Sequence, residues 1–247
     1  MFPMTPDEYK LLYTDEDGVV VGLDEVQLID PPIIERVPAL IDLLDSTNHL
    51  VVYESALILS AWGFDFGVDK IELMIDSDSS LPVELSPNRI NGEDNCFDEM
   101  AYAIYLYGLS GGSMTKVKEL FCKFLKIYPR HFFESKLKYV LLKSNICELA
   151  DDVCTAIITT HKNGRIYQAG QLLPVLSLYN SSKGWGVISD LITDKDLMPD
   201  LAVNIAESLK FIKTRESLDL LRSLMQFSRS EVADEVQNSL SVLADCF

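Results

Sequence analysis

Basic charge is in short supply in this chain: 21 lysines and arginines stand against 38 aspartates and glutamates over 247 residues, a formal net charge of −17. That deficit disfavours a wholesale nucleic-acid binder, whose affinity depends on a positive field over phosphates. An anionic membrane surface would repel the chain for the same reason. Cysteines are few and unpatterned. Cys96, Cys122, Cys147, Cys154 and Cys246 form an odd set with no CxxC spacing, and they read as reduced thiols in or near a core. Long apolar runs are missing too. A membrane span needs about 18 uninterrupted apolar residues, and even the most apolar window, 50–62, holds Glu54, Ser55 and Ser60. The opening MFPMTPDEYK lacks the basic start and apolar stretch of a secretory signal. The cytoplasm is the expected compartment.

Catalytic motifs are equally thin. The three histidines, His49, His131 and His161, lie far apart, with no HExxH and no zinc-type spacing. No GxSxG, GxxxxGK[ST] or GxGxxG occurs. Asp15-Glu16-Asp17-Gly18 lacks the ligand spacing of an EF-hand loop. Carboxylate pairs such as Glu93-Asp94, Asp98-Glu99 and Asp234-Glu235 are numerous, but acid–base work needs a desolvated carboxyl, and solvated helix faces explain most such pairs. No metal and no cofactor is expected.

What the chain does have is helical periodicity. Ile34, Val37, Leu40, Ile41 and Leu44 share one helical face. A second run over 49–62 ends at Gly63, a suitable C-cap, and a third covers 67–76. Residues 77–93, with four serines, two prolines and several carboxylates, read as a loop. Helical patterns then continue over 96–109, 114–128, 132–143, 148–161, 166–179, 185–192, 199–212, 215–227 and 231–244. Pro174 should kink the segment that contains it. The first thirty residues differ: acidic Thr14 to Gly18 between apolar runs suits either a short hairpin or an irregular arm.

Every second helix repeats a pattern. The strings VVYESALILSAWG, CFDEMAYAIYLYG, FFESKLKYVLLK, IYQAGQLLPVLSLY, PDLAVNIAESLKFI and EVADEVQNSLSVLA start 45, 36, 34, 33 and 32 residues apart. Small residues in them (Ser55 and Ala56, Ala101, Ala169 and Gly170, Ala202, Ala233) let neighbouring helices approach closely. The window VPALIDLLD from Val37, followed by Val51 to Gly63, resembles a HEAT unit, with a proline in the first helix and a second helix ending in glycine. The resemblance extends over about 33–246, although the later units lack the Asp and Arg ladder of strict HEAT repeats, and Lys136 stands where a small residue is expected. It implies an all-α fold: a right-handed superhelix, or α-solenoid, of antiparallel helix pairs. The expected organisation is an acidic arm over 1–32, irregular or hairpin, and a HEAT-like helical repeat domain over 33–247.

Charge is unevenly spread. Between Lys116 and Lys143 eight bases face two acids, which makes that stretch +6 and leaves −23 for the rest. The bases are interleaved with Phe121, Phe124, Tyr128, Phe132, Phe133 and Tyr139, a mixture that suits nucleic acid but suits amphipathic helices with aromatic cores and lysine-rich outer faces better. Acids recur with the repeat: Glu54, Glu99 and Glu134 hold equivalent places, followed by Gln168, Asp200 and Asp234. Second helices usually line the concave side of a solenoid, so such a column would form a stripe of negative potential that steers a cationic partner.

A small acidic helical-repeat chain without catalytic motifs looks like bacterial immunity proteins, which neutralise toxins. The expected function is thus non-catalytic binding of a basic protein partner such as a nuclease toxin domain, with no nucleic acid or membrane and a monomer favoured. The expected contact residues are Glu54, Asp98, Glu99, Asp200, Glu207 and Asp234, with Tyr102 and Tyr105 as apolar anchors. The alternatives are an enzyme on a HEAT-like scaffold, of the DNA glycosylase or bilin lyase type, or a general assembly adaptor.

Overall fold

Helix α4 (His49–Ala61) is apolar on almost every side, with Val51 to Ala61 all buried, and the first part of the chain folds around it. A helix without a polar face is driven to the centre of a core. The computed structural model describes residues 4–77, 89–90, 93–192, 198–225 and 230–244. These divide into two compact units, one of residues 1–124 with 131–137 and one of residues 125–130 with 138–247. Among the described residues the elements are helices, apart from one two-residue antiparallel ladder, β1 (Arg89–Ile90) with β2 (Glu93–Asp94), and an isolated bridge between Thr14 and Val20. That ladder falls in the expected 77–93 loop, the rest of which lies outside the described residues beyond Ser77.

In the first unit, α2 (Leu23–Gln27), α3 (Val37–Leu43), α5 (Asp65–Asp76) and α6 (Cys96–Leu109) all pack on α4, and α1 (Pro6–Tyr13) touches it as well. The contact with α5 is close because Gly67 carries no side chain. A Cβ there would lie 2.6 Å from the Ala56 carbonyl oxygen. Gly63, at φ +86°, ends α4 as a left-handed C-cap. The acidic arm differs from the expectation of a hairpin or irregular arm, because it contains α1 and α2. Thr5 and Glu8 form a reciprocal capping box, and Pro6 occupies the first turn. Only the Thr14–Val20 bridge is hairpin-like, closed by Asp15 Oδ1 accepting from the N–H groups of Asp17 and Val19. The Arg36 guanidinium ties this turn down by donating to the carbonyls of Thr14 and Asp15.

Helices α7 (Met114–Ile127) and α8 (Lys136–Ser144) each contribute to both units. The aromatic residues of the basic stretch are mostly core: Phe121, Phe124, Tyr128 and Phe133 are buried, while Tyr139 is exposed. Its lysines pair with acids of packed helices. Lys123 lies 3.0 Å from Glu72 and 2.6 Å from Asp76, and Lys116 bonds Glu72. Helix α8 starts four residues after the expected position. The cause is a side chain from α6: Asp98 accepts from the backbone N–H groups of Glu134, Ser135 and Lys136 through Oδ2 and of Leu137 through Oδ1, at 2.7–3.1 Å. Those are the unpaired donors of a helix start, and a carboxylate satisfies them best.

The second unit continues with α9 (Ala150–Lys162), α10 (Ile166–Gln171), α11 (Leu173–Tyr179), α12 (Ser181–Leu191), α13 (Met198–Leu209), α14 (Arg215–Leu224) and α15 (Ser230–Ala244). Pro174 splits the expected 166–179 helix into α10 and α11, and sits in the first turn of α11. Helix α13 packs against α10, α11, α14 and α15. Buried hydroxyls and amides close the backbone account. Tyr128 and Gln168 exchange reciprocal 2.7 Å bonds with each other's carbonyls, and Tyr179 donates to the Leu141 carbonyl at 2.6 Å. No disulfide joins the described cysteines, and no helix among the described residues is long and apolar enough to cross a membrane.

Candidate functional site

A carboxyl on a helix buried all round has nowhere to reach solvent. Glu54, in the second turn of α4, is only 2% exposed. Its Oε1 accepts a 2.5 Å hydrogen bond from the Tyr13 hydroxyl at the end of α1, and its Oε2 has no hydrogen-bond partner. Burial pushes the Glu54 carboxyl up to about 7, against the opposing effect of the Tyr13 bond. Burial, followed by the bond to Glu54, likewise raises the Tyr13 phenol, which therefore stays a donor.

Glu54 lines a cavity of about 410 Å³ in the first unit. The other polar walls are Tyr13, Tyr53, Asp24, Glu25 and Glu99, and the apolar ones include Leu23, Leu28 and Leu57. Helix α2 supplies the wall that faces α4, so the short acidic arm is what turns a buried helix face into a cavity. One cation stands beside it. Lys136 donates to Glu99 Oε2, lies 3.6 Å from Asp24 Oδ1 and places its Nζ 5.2 Å from the Tyr102 ring centroid. Burial alone would lower the Lys136 pKa, but the hydrogen bond to Glu99 and the charges of Glu99, Asp24 and Asp98 outweigh it and leave it raised. Glu99 is itself raised, chiefly by burial, despite that same bond. Among the described residues no three His, Cys, Asp or Glu side chains are grouped closely enough to hold a metal ion.

Of the expected contact residues, the structure brings Glu54 and Glu99 together in this cavity. Tyr102 stands beside it through Lys136, with Tyr105 half-buried at a ring distance of 6.4 Å. Asp98 belongs to the fold: it is fully buried, and its oxygens are taken up in capping α8. Glu207 in the second unit lies 2.5 Å from Lys138 and 3.7 Å from Lys210, so its charge is internally compensated. Asp234 is exposed on α15. The side chain of Asp200 lies outside the described residues. An uninterrupted open stripe is thus not the arrangement around Glu54 and Glu99: one is buried under the arm, and the other is paired with Lys136. Tyr13, Asp24, Glu25, Tyr53 and Lys136 complete the site, and the sequence pattern names none of them as a contact residue. The only signal pointing to them was Lys136 at a small-residue position.

No family model, no curated protein and no solved structure matches the chain. The chemistry of the cavity therefore carries the functional reading.

Proposed function

We propose that the chain is a non-catalytic protein-binding module of the acidic immunity or inhibitor kind, and that it anchors a basic protein partner through the cavity lined by Glu54, Glu99, Asp24 and Glu25. The observation that carries this reading is Glu54, a buried carboxyl with one oxygen unpartnered in a cavity walled by further carboxylates. Asp24 and Glu99 share the single ammonium of Lys136 and Glu25 caps its own helix, so the wall keeps an excess of negative charge. That excess gains Coulomb energy when a cation arrives. The HEAT-like, right-handed stacking suggested by the sequence period belongs to the same proposal, since helical repeats commonly serve as binding scaffolds.

The test is affinity purification from the native cell with the wild-type chain and with Asp24→Lys, a change at an exposed position beside the cavity. A basic protein retained by the wild type and reduced about tenfold by the charge reversal supports the reading. An acidic partner, or retention unaffected by Asp24→Lys, contradicts it.

A second reading draws on one observation, the Glu54 carboxyl raised to about 7, the range of an acid–base catalyst. An enzyme on this scaffold would turn over a cationic substrate, and Glu54→Gln would abolish turnover while leaving binding in place.

A further inference from the structure

Resting on the binding reading above, the chemistry of the cavity narrows what enters it. We infer that it is a guanidinium pocket, in which an arginine side chain of the partner lays its aliphatic stem along Leu28 and Leu57 and presents its planar head to Glu54 Oε2.

Three observations favour a guanidinium over an ammonium. First, Lys136 already supplies an ammonium to Glu99 and leaves Glu54 Oε2 as the unpartnered acceptor. Second, Glu54 is 2% exposed, so a visiting cation must shed water to reach it, and a guanidinium is more weakly hydrated than an ammonium. Third, the Tyr13 ring, stacked on Tyr9 on one side, lines the cavity, and a planar delocalised cation gains more beside an aromatic ring than a compact ammonium does. The volume of about 410 Å³ falls in the range of roughly 300–1,000 Å³ typical of ligand sites. A free arginine would also bring an α-ammonium and an α-carboxylate to the cavity mouth, and desolvating both is a cost that a residue within a chain does not meet, so a residue within a chain is the better fit.

Capture is linked to one proton. Without a cation beside it, burial holds the Glu54 carboxyl up to about 7, so it is about half protonated at neutrality and mostly protonated below. When the guanidinium arrives, that proton leaves to solvent and the carboxylate remains as the counter-ion, so charge balances. The groups lining the cavity with Glu54 are Tyr13 from α1, Asp24 and Glu25 from α2, Tyr53 on its own helix and Glu99 from α6, with Lys136 from α8 paired to Glu99 and Asp24. Glu99 is raised as well, so the Glu54→Gln comparison separates the two.

The experiment uses the full chain with ¹³C-labelled glutamate carboxyls, followed by NMR as N-acetyl-L-arginine amide is added, with N-acetyl-L-lysine amide and free L-arginine as comparisons. The expected result is that the arginine amide lowers the Glu54 titration midpoint and binds about tenfold more tightly at pH 8 than at pH 6. The lysine amide and free arginine bind at least about fivefold more weakly, and Glu54→Gln loses both the affinity and its pH dependence. Equal affinity for the arginine and lysine amides, or an arginine affinity unchanged by Glu54→Gln, overturns the inference. So does a wild-type Glu54 midpoint that no probe moves, a readout that needs no variant to fold. Either failure, with a basic partner still captured and still lost on Asp24→Lys, leaves the binding reading intact and removes only the guanidinium assignment.

Discussion

The hydroxyl of Tyr13, at the last residue of α1, donates to Oε1 of Glu54 on α4 at 2.5 Å, across 41 residues of sequence. This bond ties the end of α1 to the buried helix at the edge of the cavity. It also sets a pH window. The folded chain holds a proton on Glu54 up to about 7, whereas the ordinary glutamate value is 4.5. Between those values the folded state binds more protons than the unfolded state, so stability falls as pH rises through the window. Above it the burial cost is constant, on the order of 3 kcal/mol. Glu54→Gln removes the titration. Its stability relative to wild type, from urea midpoints, should grow between pH 5 and pH 8 by up to that amount. Tyr13→Phe removes the one bond that opposes burial and should move the Glu54 midpoint upward in a carboxyl NMR titration.

Asp98→Ala should be among the most damaging substitutions in the chain. It strips a fully buried carboxylate from four backbone donors at the start of α8, with an expected loss of about 3 kcal/mol or more in chemical denaturation. Asp98→Asn keeps the shape but offers one acceptor oxygen instead of two and turns an amide N–H towards other donors. It should recover less than half of the loss. Faster hydrogen exchange at the Glu134 to Leu137 amides would locate the damage at the cap.

Two glycines should respond to alanine with opposite signs. Gly67→Ala places a Cβ within 2.6 Å of backbone at the α4–α5 contact and should cost about 1–3 kcal/mol through forced separation of the helices. Gly186 lies inside α12 with open space around its missing side chain. Gly186→Ala should therefore stabilise the chain by about 0.5–1 kcal/mol through helix propensity. Thermal melts of the two variants check both signs.

The helical framework was legible because it rests on local periodicity and punctuation. Helix α6 occupies 96–109 as its pattern predicts, Gly63 and Pro174 act where their backbone constraints require, and the small residue Ala56 lies at the α4–α5 contact. Helices α1 and α2 were not legible, since eight and five residues are too short to show a clear period. The start of α8 was missed for a different reason: its cap, Asp98, comes from another helix, and no local signal marks it. The candidate site was legible only as a list of acids. Glu54, Asp98 and Glu99 look alike in sequence, yet one lines a cavity, one is consumed as a cap and one is paired with Lys136. What separates them is which distant segment lands on each, namely the arm on Glu54, the 134–137 turn on Asp98 and Lys136 on Glu99. Tertiary contacts of that kind leave no trace in spacing or composition.

The central claim is that a basic partner anchors in the cavity beneath the arm. Amide chemical-shift mapping of the full chain, with and without the protein that it captures, tests this most directly. The largest changes should gather at Tyr13, Gly22 to Glu25, Glu54 and Glu99. Saturating binding that leaves those amides unmoved would contradict it.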